Sequence, residues 1–229
     1  MRKGEQMVKA IIFDAYGTLI DTADGSIRAV RSILAKYNTE TINAEDFYRK
    51  WKYYHRFHID SLKSFIKEED IFTMDLIELF KEYQIEGDPH RDVQVMLNTL
   101  GKRNAYPETN TVLDALRPDY DLFIGSISDQ ESLLTDISRN NIVVNKCFSS
   151  EYLRIYKPRR EFFEKILKEI NMKSEEVVFV GDSIIDDVLG PSSLGMKTVW
   201  VNRKKESAKT VAQPNHEISD LWPLIGMDV

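Results

Sequence analysis

Four short stretches of this chain carry groups that can do chemistry once a fold brings them together. The apolar run "VKAIIF" is followed by Asp14, and Gly17 and Thr18 come next in the same stretch. A carboxylate there either caps the following turn or acts as a nucleophile that forms a covalent intermediate. "GSISD" puts Ser128 and Asp129 after a second apolar run, where they either cap a helix or hold an oxyanion against a hydroxyl and backbone amides. Lys157, in "YKPRR", is either an exposed lysine before a proline-started helix or an ammonium over a negatively charged reaction centre. "FVGDSIIDDVLG" ends another run on Asp182, with Asp187 in the next turn. These two are either a cap and a solvated first turn, or oxygen ligands that with Asp14 hold a hard cation such as Mg²⁺. Crowded carboxylates are costly without a cation between them.

The segments around these residues alternate in pattern. "VKAIIF" is short, apolar and β-branched, which predicts a buried strand. From Asp24 to about Arg103 the apolar residues recur at helical spacing in "SIRAVRSILAKY", "AEDFYRKWKYYHRFHIDSLKSFI", "IFTMDLIELFKEYQI" and "VQVMLNTLGKR", which predicts about four helices. After Tyr106-Pro107, helices "ETNTVLDALR", "DQESLLTDISRNN", "RREFFEKILKEIN" and "IIDDVLGPSSLG" alternate with strands "YDLFIGSI", "VVNKCFSS", "EEVVFVG" and "KTVWVN", and a short piece, "HEISDLWPLI", follows. The expected fold is α/β: a doubly wound, mostly parallel, Rossmann-like sheet formed by residues 1–21 and 107–229, interrupted by an all-α domain over residues 22–106. Ligands of such sheets bind beyond the carboxyl ends of the strands, which is where Asp14, Ser128, the 149–157 segment and Asp182 fall.

Composition narrows the partners. The chain has 229 residues, a formal net charge of −6 and no long basic cluster, a poor match for a nucleic-acid backbone. Its most basic stretch, "RKKESAK" (203–209), reads as a solvated loop. A single cysteine, Cys147, allows no internal disulfide. No apolar stretch approaches the ~20 residues of a membrane span, and the N-terminal "MRKGEQMVKA" is too polar for a secretion signal. The expectation is a cytoplasmic protein acting on a small molecule, with neither nucleic acid nor membrane as partner.

In order and placement, the four stretches resemble the motifs of the haloacid dehalogenase superfamily of aspartyl-nucleophile hydrolases: "FDAYGTL", "SISD", "YKP" and "VGDSIIDDVLG". The resemblance spans nearly the whole chain and implies that the helical insert is a cap over the active site. It implies Asp14 as nucleophile, Ser128 and Lys157 holding the transferring group, Asp182 and Asp187 at a Mg²⁺ site, and the Tyr16 carbonyl as a further metal ligand. Thr18 and Asp129 are candidate substrate contacts.

Two motifs point to different chemistries. Phosphatases of the superfamily carry a second aspartate where this chain has Tyr16, a residue whose ordinary pKa of about 10 makes it a poor general base. "DAYGT" is similar to the first motif of the 2-haloacid dehalogenases, whose halide leaves without a proton. Those enzymes hold the substrate with a cap arginine. Arg49 lies in a similar context, and is otherwise a surface helix arginine. Gly181-Asp182, by contrast, is the phosphatase form of the fourth motif. The expected activity is a Mg²⁺-dependent phosphatase acting on a small phosphorylated metabolite, with 2-haloacid dehalogenase, and then a non-catalytic binding module, as alternatives. In the insert, at least half of Trp51, Tyr53, Tyr54 and Phe57 are expected in its core, and His55 and His58 on its surface.

Overall fold

Strand β1 (Ala10–Phe13) is buried at all four positions. In the computed structural model it lies inside a six-stranded sheet with β2 (Asp121–Ser126), β3 (Lys146–Ser149), β4 (Val177–Gly181), β5 (Lys197–Val201) and β6 (His216–Ile218). The order is β3-β2-β1-β4-β5-β6, and every pairing is parallel. The structure describes residues 7–37, 39, 41–207 and 212–227. The first six residues of the polar N-terminal stretch and the last two of "RKKESAK" lie outside them. Helices cover both faces of a parallel sheet, so its strands are apolar on both sides, as "AIIF" and "VVFVG" are. The terminal "HEISDLWPLI" adds a sixth strand. With three residues, it is too short to show an alternating pattern, and its Ile218 is buried against the sheet.

Between β1 and β2 the chain forms helices α1 (Ala23–Ala35), α2 (Ala44–Ser61), α3 (Glu68–Glu82), α4 (Pro89–Asp92) and α5 (Gln94–Leu97). The last predicted helix of this run, "VQVMLNTLGKR", is thus reduced to the single turn α5, and α4 precedes it. Asn43 caps α2, its side chain accepting from the Asp46 amide. The helices share a core of their own around Val30, Ile33, Phe47, Trp51, Leu76 and Leu79. Burying each such side chain is worth about 1.5–3 kcal/mol, enough to hold the insert as a packed unit. Of the four aromatics singled out in α2, Trp51 and Tyr54 join this core, whereas Tyr53 and Phe57 are exposed. Helix α2 ends at Ser61, earlier than its apolar pattern, because the next segment docks on the sheet domain. The Leu62 carbonyl accepts from Arg159 at 2.7 Å, the Ile66 carbonyl from the Tyr156 hydroxyl at 3.1 Å, and Phe65 stacks on Tyr156.

Helices α6 (Thr109–Leu116), α7 (Gln130–Arg139), α8 (Ser150–Leu153) and α9 (Arg160–Ile170) complete the alternation. In α9, Phe162, Phe163, Ile166 and Leu167 fall on one helical face and are buried against the sheet. After β4 the expected helix is instead a wide π-helical turn, Ile184–Leu189, followed by the short α10 (Gly190–Ser192). π turns are rare and concentrate at functional sites, and this one carries Asp186 and Asp187.

Candidate active site

A cavity of about 380 Å³ lies between the carboxyl ends of β1, β2 and β4 and the helical insert. Asp14 is on its floor, one residue past β1. The Lys157 Nζ donates to Asp14 Oδ1 and to Asp187 Oδ1, each at 2.7 Å, and the Thr18 hydroxyl donates to Asp14 Oδ2 at 3.1 Å. Both oxygens of Asp14 are therefore oriented by donors. Lys157 is 1% exposed. Burial opposes its charge, but Asp14 and Asp187 outweigh that and hold its pKa above the ordinary lysine value. The ammonium is fixed in its charged form.

Asp14, Asp182 and Asp187 each offer a carboxylate oxygen, and the three lie within 4.8 Å of one another. Lys157 contacts Asp14 and Asp187 but not Asp182. Burial, and then the nearby Asp14 charge, push the Asp182 pKa up to about 7. Three oxygens converging with one left without a contacting cation match what Mg²⁺ requires. Two glycines make the approach possible. Gly17 has φ +97°, and a Cβ there would overlap the Asp182 carboxylate. A Cβ on Gly181 would overlap Asp187, whose Oδ2 also accepts from the Ser183 amide at 2.9 Å.

Tyr16 lines the cavity, but its hydroxyl turns away from Asp14 and donates to Asp136 Oδ2 at 3.0 Å. Asp136 is fully buried on α7 and also accepts from the amides of Gly101 (3.2 Å) and Arg103 (2.8 Å), in the segment that leads out of the insert. Burial and then Asp136 raise the Tyr16 pKa far above its ordinary value. The phenol stays protonated and is no base. The Arg103 guanidinium lies over its ring, 4.9 Å from the centroid.

The remaining expected residues divide. Ser128 is buried, but it is Ser126, at the end of β2, that lines the cavity; the Ser128 hydroxyl donates to the Ser126 hydroxyl at 3.0 Å. The strand ends two residues before the position read from the sequence, so the residue at the strand end is Ser126. Asp129 does not line the cavity either. It occupies the N-cap position of α7, yet its carboxylate accepts from the Glu68 and Glu69 amides at 2.9 and 3.0 Å, capping α3 of the insert. Burial raises its pKa to about 6. Arg49 does not line the cavity: it is 74% exposed and pairs with Asp46. The lining residues of α2 are Tyr48, Trp51, Lys52, His55, Arg56 and Ile59, a helical stripe that Arg49 misses by one position. Arg56 donates to Asp186 at 2.7 Å and so ties the insert to the π turn. His55 and His58 are not surface histidines. Their Nδ1 atoms lie 2.8 and 2.7 Å from the two oxygens of the fully buried Asp75. Spacing alone marked the pair; the carboxylate that draws it inward comes from the next helix.

The fold and this cluster of strand-end carboxylates define a hydrolase class. The family model of the haloacid dehalogenase-like hydrolases matches residues 8–195, and the chain belongs to that family. It is 27% identical to pyrimidine 5'-nucleotidase PynA of Streptococcus pneumoniae, over 95% of this chain and 93% of that protein. It is 25% identical to (S)-2-haloacid dehalogenase 4A of Burkholderia cepacia, over 97% and 96%. Among solved structures, the HAD-hydrolase YfnB of Bacillus subtilis bound to magnesium superposes with a TM-score of 0.81 at 19% identity, covering 96% of this chain and all of that one. The chain is thus similar along its length both to an enzyme named for phosphate-ester chemistry and to one named for carbon–halogen chemistry.

Proposed function

We propose that this chain is a Mg²⁺-dependent phosphatase acting on a small phosphorylated metabolite, with the insert, residues 22–106, serving as a cap over a core formed by residues 1–21 and 107–229. The observation that carries the reading is Asp182. It stands beside Asp14 and Asp187 in an arrangement that two glycines leave room for, and displacement of halide from carbon has no use for a third carboxylate there.

Asp14 is the nucleophile. One of its oxygens forms a bond to phosphorus as the bond from phosphorus to the leaving oxygen breaks, giving an aspartyl phosphate; water then attacks that phosphorus and restores the Asp14 carboxylate with release of phosphate. Lys157 and Thr18 hold Asp14 in line, and Lys157, together with the Ser126 hydroxyl, faces the transferring group. Lys157 supplies fixed positive charge in a water-poor site, where it is most effective. Asp14, Asp182, Asp187 and the Tyr16 carbonyl would hold Mg²⁺, which when bound supplies charge neutralisation for the phosphoryl oxygens. Tyr16, committed to Asp136, gives no proton to the leaving oxygen. Substrates with good leaving groups, such as acyl or aryl phosphates, suit this site best.

The haloacid reading draws on the same Tyr16, since halide needs no proton. Phosphate release from an aryl phosphate, measured beside halide release from a 2-haloacid with wild type and Asp182→Ala, separates the two. Phosphate release that Asp182→Ala abolishes supports the proposal. Halide release that survives Asp182→Ala overturns it.

A further inference from the structure

Three buried side-chain nitrogens of the insert and its exit segment have no hydrogen-bond partner among the described residues: His55 Nε2, Arg56 Nε and Arg103 Nε. All three residues line the one cavity that contains Asp14. A buried donor without a partner costs about 1–3 kcal/mol, and unpartnered nitrogens on three residues that line one cavity have a common explanation in a ligand. Arg56 is already engaged by Asp186 and Asp60. Arg103 is different: its guanidinium makes no ion pair or hydrogen bond to another described residue and only covers the Tyr16 ring. Its place is nevertheless fixed, because its own amide and that of Gly101 are held by Asp136, the carboxylate that also holds Tyr16. His55 is oriented by Asp75 through Nδ1, which leaves Nε2 to the cavity, 3.5 Å from a Glu68 oxygen. Lys52 and Lys204, at the same cavity, also lack ion-pair partners among the described residues. Lys157 and the carboxylate cluster account for one anion at the floor; the Arg103 guanidinium, at the same cavity, has no anionic partner among the described residues.

We propose that Arg103 and His55 form a second anion subsite, so that the substrate is a phosphomonoester whose organic part carries a carboxylate or phosphate of its own. The assignment of the first anion to the floor rests on the phosphatase reading. Tyr16 then has a role where an acid is missing: its ring is the platform that presents Arg103.

The test is calorimetric binding of non-hydrolysable phosphonates with Mg²⁺ present. The probes are n-alkylphosphonates of two to six carbons, the same chains ending in a carboxylate, and the same chains ending in a second phosphonate. A charge-assisted pair at the far end predicts that, at one or more chain lengths, a doubly anionic probe binds wild type at least ~10-fold more tightly than the plain alkylphosphonate. Arg103→Gln brings that ratio to near one, and Arg103→Lys keeps part of it. His55→Gln reduces it as a second, independent variant. Whether carboxylate or phosphonate gains more identifies the group. Equal affinity for singly and doubly anionic probes at every length overturns the proposal, as does a preference unchanged in both Arg103→Gln and His55→Gln. Hydrolysis of p-nitrophenyl phosphate is followed in parallel. Its absence beside an intact doubly anionic preference counts against the phosphatase reading and not against the subsite.

Discussion

The Tyr16 hydroxyl donates to Asp136 at 3.0 Å, and the same carboxylate receives the amides of Gly101 and Arg103. The residue next to the nucleophile's turn is thereby tied to the segment leading out of the helical insert. Tyr16→Phe removes one of three donors to a fully buried carboxylate while preserving the ring under Arg103. The expected cost is about 1–2 kcal/mol of stability, read by urea denaturation. Unchanged stability would mean that the Tyr16–Asp136 bond holds nothing in place.

Lys157 is the contact cation of both Asp14 and Asp187, and all three are buried. Lys157→Met preserves much of the volume and leaves two adjacent carboxylates without it. Removing one partner of a buried ion pair costs about 3–5 kcal/mol, and losing a preorganised charge at a reaction centre costs on the order of 100-fold in turnover. Denaturation and aryl phosphate hydrolysis measure the two losses. A variant that is both stable and active would refute the role given to Lys157.

Gly181→Ala places a methyl group where the Asp187 carboxylate now lies. Because Asp187 is anchored by Lys157 and the Ser183 amide, it has to give up one of them to move. The Mg²⁺ concentration for half-maximal activity is expected to rise about 10-fold or more, in line with the sensitivity of metal sites to their supporting contacts. A Mg²⁺ titration with unchanged midpoint would show that Asp187 does not bear on the metal.

Burial works against a charged His55, but its hydrogen bond to Asp75 and the neighbouring Glu68 outweigh it and raise its pKa to about 9. His58 shares Asp75 from the same helix. A histidine that binds its proton more tightly when folded stabilises the fold fully below its unfolded value of about 6.5 and loses that contribution as the pH rises through 9. Thermal unfolding between pH 6.5 and 9.5 is expected to show falling stability in wild type and a flatter profile in His55→Gln. Parallel profiles would mean that His55 titrates alike in both states.

Much of this was legible in the residues themselves. Apolar runs ending in Asp14 and Asp182 announced strands of a covered parallel sheet, because burial on both faces leaves little choice of residue type. Lys157 and Asp187 stand away from the strand ends, eight residues past β3 and six past β4, and were legible as candidates through the motif resemblance of "YKP" and "VGDSIIDDVLG". What pattern could not supply was direction. Ser126 and Ser128 are two residues apart and differ only in where β2 stops. Arg49, Lys52 and Arg56 share one helix, and which of them faces the cavity depends on how that helix docks. Asp136 and Asp75 are ordinary acids of two amphipathic helices until the fold brings Tyr16 to the first and His55 and His58 to the second. Such partnerships are made in space by segments far apart in the chain.

The most direct test of the central claim is release of p-nitrophenol from p-nitrophenyl phosphate, first with Mg²⁺, then with excess chelator, then with Mg²⁺ restored. This leaving group needs no proton, so Tyr16 does not mask turnover. The expected result is activity that the chelator abolishes and Mg²⁺ restores. Turnover indifferent to the chelator, or none in any condition, would contradict it.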